Sequence, residues 1–466
     1  MLSLDPESKT PLYEQLYALL ADEIRTGARA PGTPLPGRRT MAQRLGVSVN
    51  TVDAAYQMLE AEGLAEPQPR RGFFVQETGG MLHARPAPRP RAPAGAAPAA
   101  PDRPLFDLST GSIDTALFPA RSWGRIQKKL LYEDPSLLER GEAQGDAALR
   151  ARITDYLGSY RGVVCTPEQI VVGAGVEYLL GCLAHLFAGG RAAVENPGYA
   201  RARAVLQNNG IPCTPLDIDE AGLPADALER SGANLCYLTP SHHFPTGVTM
   251  PAHRRAQLLA WAAARPGRCI LEDDYDSEFR FDTRPLPSLQ GMAGPEGPVV
   301  YLTTFSKSLA PGIRMACMVL PQPLLTMYRQ DFAMYANTVS RIEQQTLCEF
   351  MAAGTFTRHL ARMRLAYKRR MEQFAAALRA QLPGVRLGQV HSGLHFLLTL
   401  PGAGGERAMV QAAAREGVRL RGLSDYYMER PERCRPDTVV AGYAGLRPEQ
   451  IAPVAAALAR AWLPPR

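Results

Sequence analysis

Hydrophobic residues recur at helical spacing near the N-terminus and predict three short helices. The first follows Thr10 and Pro11, a good pair for the N-cap and the first helical position, and ends near Gly27. The second spans Arg38–Leu45, and the third spans 49–62 with Ser48 as its N-cap. The apolar positions expected to face inward are Leu12, Leu16, Leu19, Leu20, Ile24, Met41, Ala42, Leu45, Val52, Ala55, Tyr56 and Leu59.

After the third helix the pattern becomes strand-like. Leu64-Ala65 and Phe73-Phe74-Val75 flank a turn that reads PQPRRG, which predicts a two-stranded wing with Arg70 and Arg71 at its tip. Three helices and a wing form a layout that reads DNA, although other small helical domains share this periodicity. The third helix would enter the major groove, where Asn50 is suited to pair with adenine. The arginines expected on phosphates or in a minor groove are Arg38, Arg39, Arg44, Arg70 and Arg71.

Residues 78–104 interrupt this patterning. They contain seven prolines, many alanines and almost no large apolar residue, so they cannot form a core. We therefore expect a winged helix-turn-helix unit at 1–77, a Pro/Ala-rich linker at 78–104 and a second unit at 105–466. Within the second unit we expect a smaller C-terminal α+β subdomain at roughly 340–466.

The second unit alternates helical runs with short β-type runs. This alternation predicts an α/β fold with a mostly parallel sheet, and ligands bind at the strand ends of such sheets. The expected strands are 170–172, 192–195, 235–238, 269–271, 299–303 and 315–320.

Composition narrows the class of protein. The chain has 466 residues, of which 46% are hydrophobic and 21% charged, so ordinary globular cores are expected. There is no apolar run long enough to span a membrane, and the N-terminus lacks the pattern of a secretory signal. Eight cysteines without a C-x-x-C pair favour a reducing compartment, and we expect a cytoplasmic location. The net charge of +7 is no argument for DNA binding, because residues 1–104 contribute only +1 (12 basic minus 11 acidic residues).

Two strand ends carry candidate chemistry. Leu271-Glu272-Asp273-Asp274-Tyr275 places carboxylates and a phenol after one strand, and Thr303-Thr304-Phe305-Ser306-Lys307 places hydroxyls beside a lysine after another, with Arg314 seven residues later. A cofactor with an aldehyde, a pyridine ring and a phosphate needs such groups. A lysine forms the imine, a carboxylate keeps the ring nitrogen protonated, and hydroxyls with an arginine bind the phosphate. Each motif alone is weak, since a surface lysine or an acidic metal site would look similar.

The N-terminal unit also resembles a known family. The stretch from Leu12 to Leu64, with its L-P-x-x-R entry, G-V-S-x-x-T-V turn and A-Y-x-x-L helix, is similar to the GntR-type winged helix. The resemblance implies DNA contacts by Arg39, Ser48, Asn50, Thr51 and the wing. At the position after the turn serine, where that family often has arginine, this chain has Val49, so its base preference is open.

The second unit resembles the aminotransferase-like domain of fold-type I pyridoxal-phosphate proteins, and most closely the MocR/GabR-type regulators. LTPSHHFPTGVTM, LEDDYDSEFRF and TFSKSLAPGIRMA carry the resemblance. It implies pyridoxal 5'-phosphate bound as an internal aldimine on Lys307. The other cofactor contacts that it implies are Asp273 at the pyridine nitrogen, Tyr275 at the 3-hydroxyl, Tyr199 against the ring, and Thr304, Ser306, Arg314 and the turn at Gly175 and Val176 at the phosphate. Arg201 is the implied contact for an effector carboxylate.

Two departures from that family pattern concern the ligands. The turn that usually offers a hydroxyl to the phosphate carries Val176 and then Glu177, which would repel phosphate unless it points away. The family has a late arginine that binds an α-carboxylate, and this chain has Val439-Val440 at that place. Arg421, Arg435 and Arg447 are the candidates to take over its role. The effector is therefore open. The pairs His242–His243 and His391/His395 are interpreted as structural, so no metal site is expected.

The resulting hypothesis is a homodimeric, DNA-binding transcriptional regulator. A small amine or amino acid would displace Lys307 by forming an external aldimine and so shift the DNA-binding units. Two alternatives stay open at this point: an aminotransferase with catalytic turnover, and a regulator that senses pyridoxal phosphate itself.

Overall fold

The computed structural model describes residues 4–77, 105–281, 286–388 and 390–463 of the chain. The chain divides into two compact units, Met1–Asp102 and Arg103–Arg466. The linker expected at 78–104 lies outside the described residues.

The first unit contains three helices and a β-hairpin, in the order expected from the sequence. Its elements are α1 (Leu12–Arg25), α2 (Arg38–Leu45), α3 (Val49–Ala61), β1 (Ala65–Gln68) and β2 (Gly72–Val75). The two strands are antiparallel, with Ala65 opposite Val75 and Gln68 opposite Gly72. This arrangement confirms the predicted winged helix.

Local signals explain where these helices begin and end. Gly46 ends α2 in the left-handed region, with φ of +66°, which a residue with a side chain would adopt only at a cost. Ser48 caps α3 by accepting a hydrogen bond from the Thr51 N–H at 3.1 Å. At α1 the expectation was wrong by one residue: the cap is Pro11, without a side-chain hydrogen bond, and the helix begins at Leu12.

The core of the first unit is apolar, and its members come from all three helices and the hairpin. Val52, Ala55, Tyr56 and Leu59 of α3 are all buried, as the spacing predicted. The expectation was wrong for Leu19 of α1, which is exposed, whereas Leu12 and Leu45 are half-buried. The opposite face of α3 is left outside this core.

The second unit is built on a seven-stranded sheet in the order β4-β10-β9-β8-β7-β5-β6. Its strands are β4 (Ile170–Gly173), β5 (Ala192–Asn196), β6 (Cys213–Asp217), β7 (Leu235–Leu238), β8 (Cys269–Asp274), β9 (Val299–Thr304) and β10 (Ala316–Val319). The pairs from β6 through β9 are parallel, and β10 runs antiparallel to both neighbours. A mostly parallel sheet is therefore confirmed.

Strand β6 was not predicted, because Pro215 at its centre argues against a strand. In the structure β6 is the edge strand, paired only with β5, where Val194 lies opposite Pro215. A proline on an edge strand costs little stability, because the missing N–H can lie on the side of the strand that has no partner strand.

Helices cover the seven-stranded sheet and continue into a smaller layer at the C-terminus. The helices are α4 (Ala120–Glu133), α5 (Ala147–Arg161), α6 (Val176–Leu186), α7 (Ala200–Asn208), α8 (Ala225–Arg230), α9 (Ala252–Ala263), α10 (Leu289–Ala293), α11 (Gln322–Phe332), α12 (Arg341–Ala352), α13 (Thr355–Gln381), α14 (Glu406–Arg415) and α15 (Ile451–Trp462).

The smaller layer is a four-stranded antiparallel sheet in the order β11-β12-β15-β14, and a two-stranded parallel pair, β3 with β13, accompanies it. Its strands are β3 (Phe106–Asp107), β11 (Arg386–Gly388), β12 (His395–Thr399), β13 (Val418–Arg419), β14 (Arg421–Gly422) and β15 (Thr438–Gly442).

Packing shifts the expected boundary of the small subdomain. Helix α12 contributes Leu347 and Phe350 to the core beneath the large sheet, although the subdomain was expected from about residue 340. Helix α13 changes core along its length, with Phe356 in the large core and Phe374 in the small one. Leu108, from the start of the unit, also packs in the small core. The boundary between the large and the small subdomain is set by which apolar side chains pack together, and the position of a residue along the chain does not reveal this.

No helix in the described part of the chain combines the length and apolar character needed to cross a bilayer.

The core of the first unit makes a stability prediction. Leu59→Ala should lower the free energy of unfolding of this unit by about 2–5 kcal/mol, because Leu59 is fully buried and its removal leaves a cavity. Leu19→Ala, the same change at a side chain that is 36% exposed, should cost much less. Hydrogen exchange of peptides from α1 and α3 in the full chain measures both, and equal loss of protection in the two variants would contradict the assigned core.

Candidate functional site

The candidate site lies at the carboxyl end of β8, between β7 and β9. Asp273 and Asp274 are the last two residues of this strand, and successive side chains of a strand point to opposite faces. The structure gives them different partners. Asp274 pairs with the Arg161 guanidinium and accepts a hydrogen bond from the Tyr301 hydroxyl, whereas Asp273 accepts one from the Tyr237 hydroxyl. Asp274 therefore has a cation beside it, and Asp273 has a neutral donor.

Asp273 is a buried carboxyl with incomplete hydrogen bonding. Burial raises its pKa to about 7, while the Tyr237 hydrogen bond opposes the rise and the nearby Asp274, Asp276 and Glu177 add to it. Its Oδ1 has no hydrogen-bond partner within the described part of the chain. A buried acceptor of this kind is costly unless a donor meets it. The geometry therefore suits a ligand that brings an N–H group or a proton.

Lys307 follows β9, the neighbouring strand. Its Nζ donates a hydrogen bond to the Thr110 carbonyl at 2.6 Å. Burial lowers the pKa of Lys307 to about 8, partly opposed by Asp276. Asp276 also acts on the pKa of Asp273, so this carboxylate lies within electrostatic reach of both the lysine and the aspartate. A lysine with a lowered pKa offers more of the neutral amine that reacts with carbonyl compounds.

Tyr275 and His242 form a hydrogen-bonded group beside Asp273. The Tyr275 hydroxyl donates to the His242 carbonyl at 3.0 Å, and the His242 Nδ1 lies 2.9 Å from Asp276 Oδ2. Burial raises the pKa of Tyr275 well above its ordinary value, so the phenol keeps its proton at neutral pH. The phenol expected near a ligand hydroxyl is thus held as a donor.

Tyr199 belongs to an aromatic wall around Phe244. The Phe244 ring packs edge-to-face against Tyr199 at 5.8 Å, Tyr275 at 5.9 Å and Tyr426 at 5.2 Å between centroids. Edge-to-face packing fixes ring orientations more firmly than apolar contact alone. This group of perpendicular rings holds the Tyr199 ring in place, and Asp273 lies close enough to act on the pKa of Tyr199.

Two of the predicted phosphate contacts, Arg314 and the turn at Gly175, meet at the start of α6. Gly175 has φ of +98°, and a Cβ placed there would collide with Arg314 Nη2, so the guanidinium packs directly over this glycine. Thr304 Oγ1 and Ser306 Oγ lie 2.9 Å apart. Val176 is the first residue of α6, so its N–H is one of the N-terminal N–H groups that have no acceptor within the helix. Arg314 and the start of α6, which we call the cradle, therefore offer a cation and a helix N-terminus to an anion.

The expected effector contacts are less enclosed. The Arg201 side chain is 75% exposed and lies 3.6 Å from Glu177 Oε1. Val439 and Val440 are buried in β15. The three arginines considered as substitutes there, Arg421, Arg435 and Arg447, are all exposed.

Sequence reasoning missed two parts of this site. Arg161, which neutralises Asp274, ends a helix more than a hundred residues away and carries no local motif. Asp276 joins His242 and His395 in a buried group whose possible metal-ligand atoms all lie within 4.8 Å of one another, the one such group in the described ranges. His243 and His391 are not in it, so the sequence pairs that were considered are not the spatial ones. Burial lowers the pKa of His395 to about 3, which keeps this imidazole neutral.

The first unit presents a polar face made of α3, α2 and the wing tip. Asn50 is exposed at the start of α3, and Val49 beside it is 43% exposed. Arg39, Arg44 and Arg70 are exposed, and Arg70 stands at the turn with φ of +61°. The structure therefore leaves the base-reading positions of α3 accessible.

Four other predicted DNA contacts, Arg38, Ser48, Thr51 and Arg71, have intramolecular partners in this unit. Arg38 pairs with Asp53 of α3 at 2.7 Å and lies over the Phe73 ring. Arg71 packs over Phe74, and Thr51 Oγ1 lies 2.8 Å from the Ser48 hydroxyl. The Arg38 contacts connect α2 with α3 and the wing, whereas the Arg71 and Thr51 contacts lie within the wing and within the N-terminus of α3.

The buried pair of Arg161 and Asp274 makes a second prediction. Arg161→Leu should destabilise the second unit by about 3–5 kcal/mol, because it leaves Asp274 buried without its cation. The matched control is Arg152→Leu on the same helix, whose pair with Asp155 is exposed and 3.8 Å apart, and which should change stability by less than about 1 kcal/mol. Chemical denaturation of both variants tests this, and similar midpoints would show that the pair contributes little.

Comparison with known families agrees with both units. Residues 12–75 match the family described as bacterial regulatory proteins, gntR family. Residues 103–458 match the family described as aminotransferase class I and II.

Solved structures share the fold of the second unit. An archaeal alanine:glyoxylate aminotransferase matches with a TM-score of 0.69 and 23% identity over 77% of this chain and 90% of that chain. The α-aminoadipate aminotransferase LysN from Thermus thermophilus, solved in complex with N-(5'-phosphopyridoxyl)-L-leucine, matches with a TM-score of 0.66 and 26% identity over 77% and 92%.

Curated relatives match along nearly the whole chain. The HTH-type transcriptional regulator YhdI of Bacillus subtilis is 38% identical over 99% of this chain and 98% of its own length. The probable rhizopine catabolism regulatory protein MocR of Rhizobium meliloti is 32% identical over 96% and 93%, and the pyridoxine biosynthesis regulator PdxR of Corynebacterium glutamicum is 30% identical over 91% of each. The chain therefore belongs to the MocR-type HTH transcriptional regulators, which join a gntR-family DNA-binding domain to a class I and II aminotransferase domain.

Proposed function

We propose that this regulator binds pyridoxal 5'-phosphate at Lys307 and senses a small primary amine or amino acid there. The observation that carries the proposal is that a partly buried lysine and a buried carboxyl, Asp273, lie at the ends of two neighbouring parallel strands, and that Asp276 acts on the pKa of both. Burial lowers the pKa of Lys307 to about 8, and one oxygen of Asp273 lacks a hydrogen-bond partner within the described chain. A structural lysine would gain nothing from such burial. The regulator would act on DNA in the cytoplasm, as a homodimer whose two winged helices read two half-sites.

The residues present fit this cofactor. The unpartnered Asp273 Oδ1 suits a protonated pyridine nitrogen, the Tyr275 phenol suits a ring hydroxyl, and the Tyr199 ring suits the face of a flat heterocycle. For the phosphate, Arg314, Thr304, Ser306 and the Val176 N–H would supply donors. The Gly175 N–H, which was also expected to contribute, donates to the Gly173 carbonyl at 2.8 Å. When bound, the cofactor supplies an aldehyde that forms an imine with a primary amine.

The chain's own groups control that exchange of amines. Burial of Lys307 keeps a useful fraction of its amine neutral near pH 8, and Thr110 orients it through the carbonyl at 2.6 Å. Asp273 holds a proton at the ring nitrogen position, since its pKa of about 7 and its burial favour sharing one. If an incoming amine replaced Lys307 at the cofactor's aldehyde carbon, the lysine would be returned as a free amine, which with a pKa of about 8 would be able to take up a proton in its partly buried position. Such a change can bias two arrangements of the protein only if the effector binds them with different affinity.

Lys307 is tested by its substitution. Lys307→Ala should abolish the visible absorbance band that appears when pyridoxal phosphate is added to the purified full-length chain, without loss of folding. Lys368→Ala, at a partly exposed lysine of α13 that pairs with Glu372, is the control and should keep the band. Borohydride reduction followed by peptide mass analysis should locate the cofactor on Lys307. A persistent band in Lys307→Ala would refute the assignment.

DNA recognition is tested on sites recovered by selection from a random DNA pool with the wild-type chain. Asn50→Ala should reduce discrimination at one base position by about 1–3 kcal/mol, because its exposed amide is placed to read a base edge. Arg39→Ala should weaken binding to all sequences and reduce the salt dependence by about one phosphate contact.

The control for these DNA variants is Arg29→Ala. Arg29 pairs with Glu23 at 2.7 Å and is not among the predicted contacts. Fluorescence anisotropy over a range of salt concentrations separates the effects, and unchanged affinity in both test variants would exclude α2 and α3 as the DNA-binding face.

A second candidate function is a regulator whose effector is the cofactor itself. The contact of Glu177 with Arg314 at 3.0 Å favours it, because a carboxylate at the cradle would make phosphate binding weak and reversible. Adding pyridoxal phosphate alone should then change DNA affinity, whereas the primary proposal requires the amine as well. Sustained conversion of an amino donor and a keto acid would instead indicate an aminotransferase.

A further inference from the structure

Glu177 contacts both arginines that the proposed function assigns to anionic ligands. Its Oε2 accepts a hydrogen bond from Arg314 Nη2 at 3.0 Å, and its Oε1 lies 3.6 Å from Arg201 Nη1. The carboxylate is about one-third exposed and stands in the first turn of α6. One acidic side chain therefore connects the proposed phosphate contact with the proposed effector contact.

The position of Arg314 explains why Glu177 reaches it. Arg314 has φ of +51°, a left-handed conformation that is uncommon for a residue with a side chain. Its Nη2 also lies 3.4 Å from the Ala174 carbonyl, and its guanidinium covers Gly175. The cation is thus held against the N-terminus of α6, where the helix dipole and free N–H groups attract an anion. Glu177 supplies that anion from within the chain.

Glu177 is a charged competitor at this place. Partial burial raises its pKa, but its backbone hydrogen bond and the charges of Arg314 and Arg201 outweigh that effect and lower the pKa below its ordinary value. The side chain is therefore ionised at neutral pH. A phosphate on Arg314 would share the donors that Glu177 now uses and would be repelled by its charge. Val176 offers no hydroxyl in compensation.

We propose that Glu177 is an internal competitor of the cofactor's 5'-phosphate for Arg314, and that it sets the affinity of this regulator for pyridoxal phosphate. Phosphate binding at Arg314 displaces Glu177, which retains Arg201 as its partner. This inference rests on the proposed function, since it requires the cofactor to bind at this cradle. It assigns Glu177 a positioning role that tunes the affinity for the cofactor, and it makes the hold on the cofactor reversible.

The test is an equilibrium titration of the full-length chain with pyridoxal phosphate and, separately, with pyridoxal, which lacks the phosphate. Glu177→Gln should bind pyridoxal phosphate about tenfold more tightly than the wild type, because the repelling charge is removed while the side-chain shape is kept. Pyridoxal affinity should stay within about twofold, since its binding does not involve Arg314. Glu177→Ala should also increase the affinity for pyridoxal phosphate. Glu220→Gln, a substitution at an exposed glutamate, is the matched control for the change in net charge.

A second pair of variants isolates the role of Arg314. In an Arg314→Ala background, Glu177→Gln should no longer give the full gain in affinity for pyridoxal phosphate, because there is no cation left to compete for. A gain of equal size in both backgrounds would overturn the competition for Arg314.

The remaining outcomes separate this inference from the proposed function. Unchanged or weaker binding of pyridoxal phosphate by Glu177→Gln, with the wild type binding well, would overturn the inference alone and would mean that Glu177 supports the cradle. Failure of the wild type and all variants to bind pyridoxal phosphate at Lys307 would overturn the proposed function, and the inference with it.

Discussion

The chemistry of this regulator depends on how one strand end distributes its buried negative charges. Asp273 and Asp274 are adjacent on β8, and both are almost completely buried. Two ionised carboxylates in such a place would be strongly unfavourable without cations or donors. Each aspartate has one oxygen without a hydrogen-bond partner in the described chain. Arg161 neutralises Asp274 and Tyr301 donates to it, whereas Asp273 has the neutral Tyr237 hydroxyl beside it. The specificity of the proposed cofactor site follows from that asymmetry.

The same constraint links the rest of the site. Asp276 lies close enough to act on the pKa of both Asp273 and Lys307, and it also binds His242. Tyr275 joins this group through the His242 carbonyl. A change in the charge of Lys307 is therefore felt by a connected set of buried polar groups rather than by solvent. Low dielectric surroundings make such changes energetically large, which is what a sensor of amines requires.

The phosphate end of the site is organised differently. There Arg314 and Arg201 are exposed, and one flexible carboxylate, Glu177, contacts both. Exposed ion pairs are individually weak and exchange partners easily. The buried, strongly polarised end of the site would fix the position of the cofactor ring. At the exposed end the arginines already have a competing carboxylate, so the cofactor would be bound reversibly.

The sequence by itself determined the two domains' fold classes, because periodicity, Gly46, Ser48 and the strand spacing are local signals. It also brought forward Asp273, Lys307 and Arg314, since they lie in short motifs at strand ends. Tertiary structure alone decided which carboxylate receives the cation, because Arg161 and Asp274 are 113 residues apart in the chain. It likewise placed Pro215 on an edge strand and Glu177 between two arginines. Long-range contacts of this kind leave no period or spacing along the chain, and only the folded protein brings the charges together.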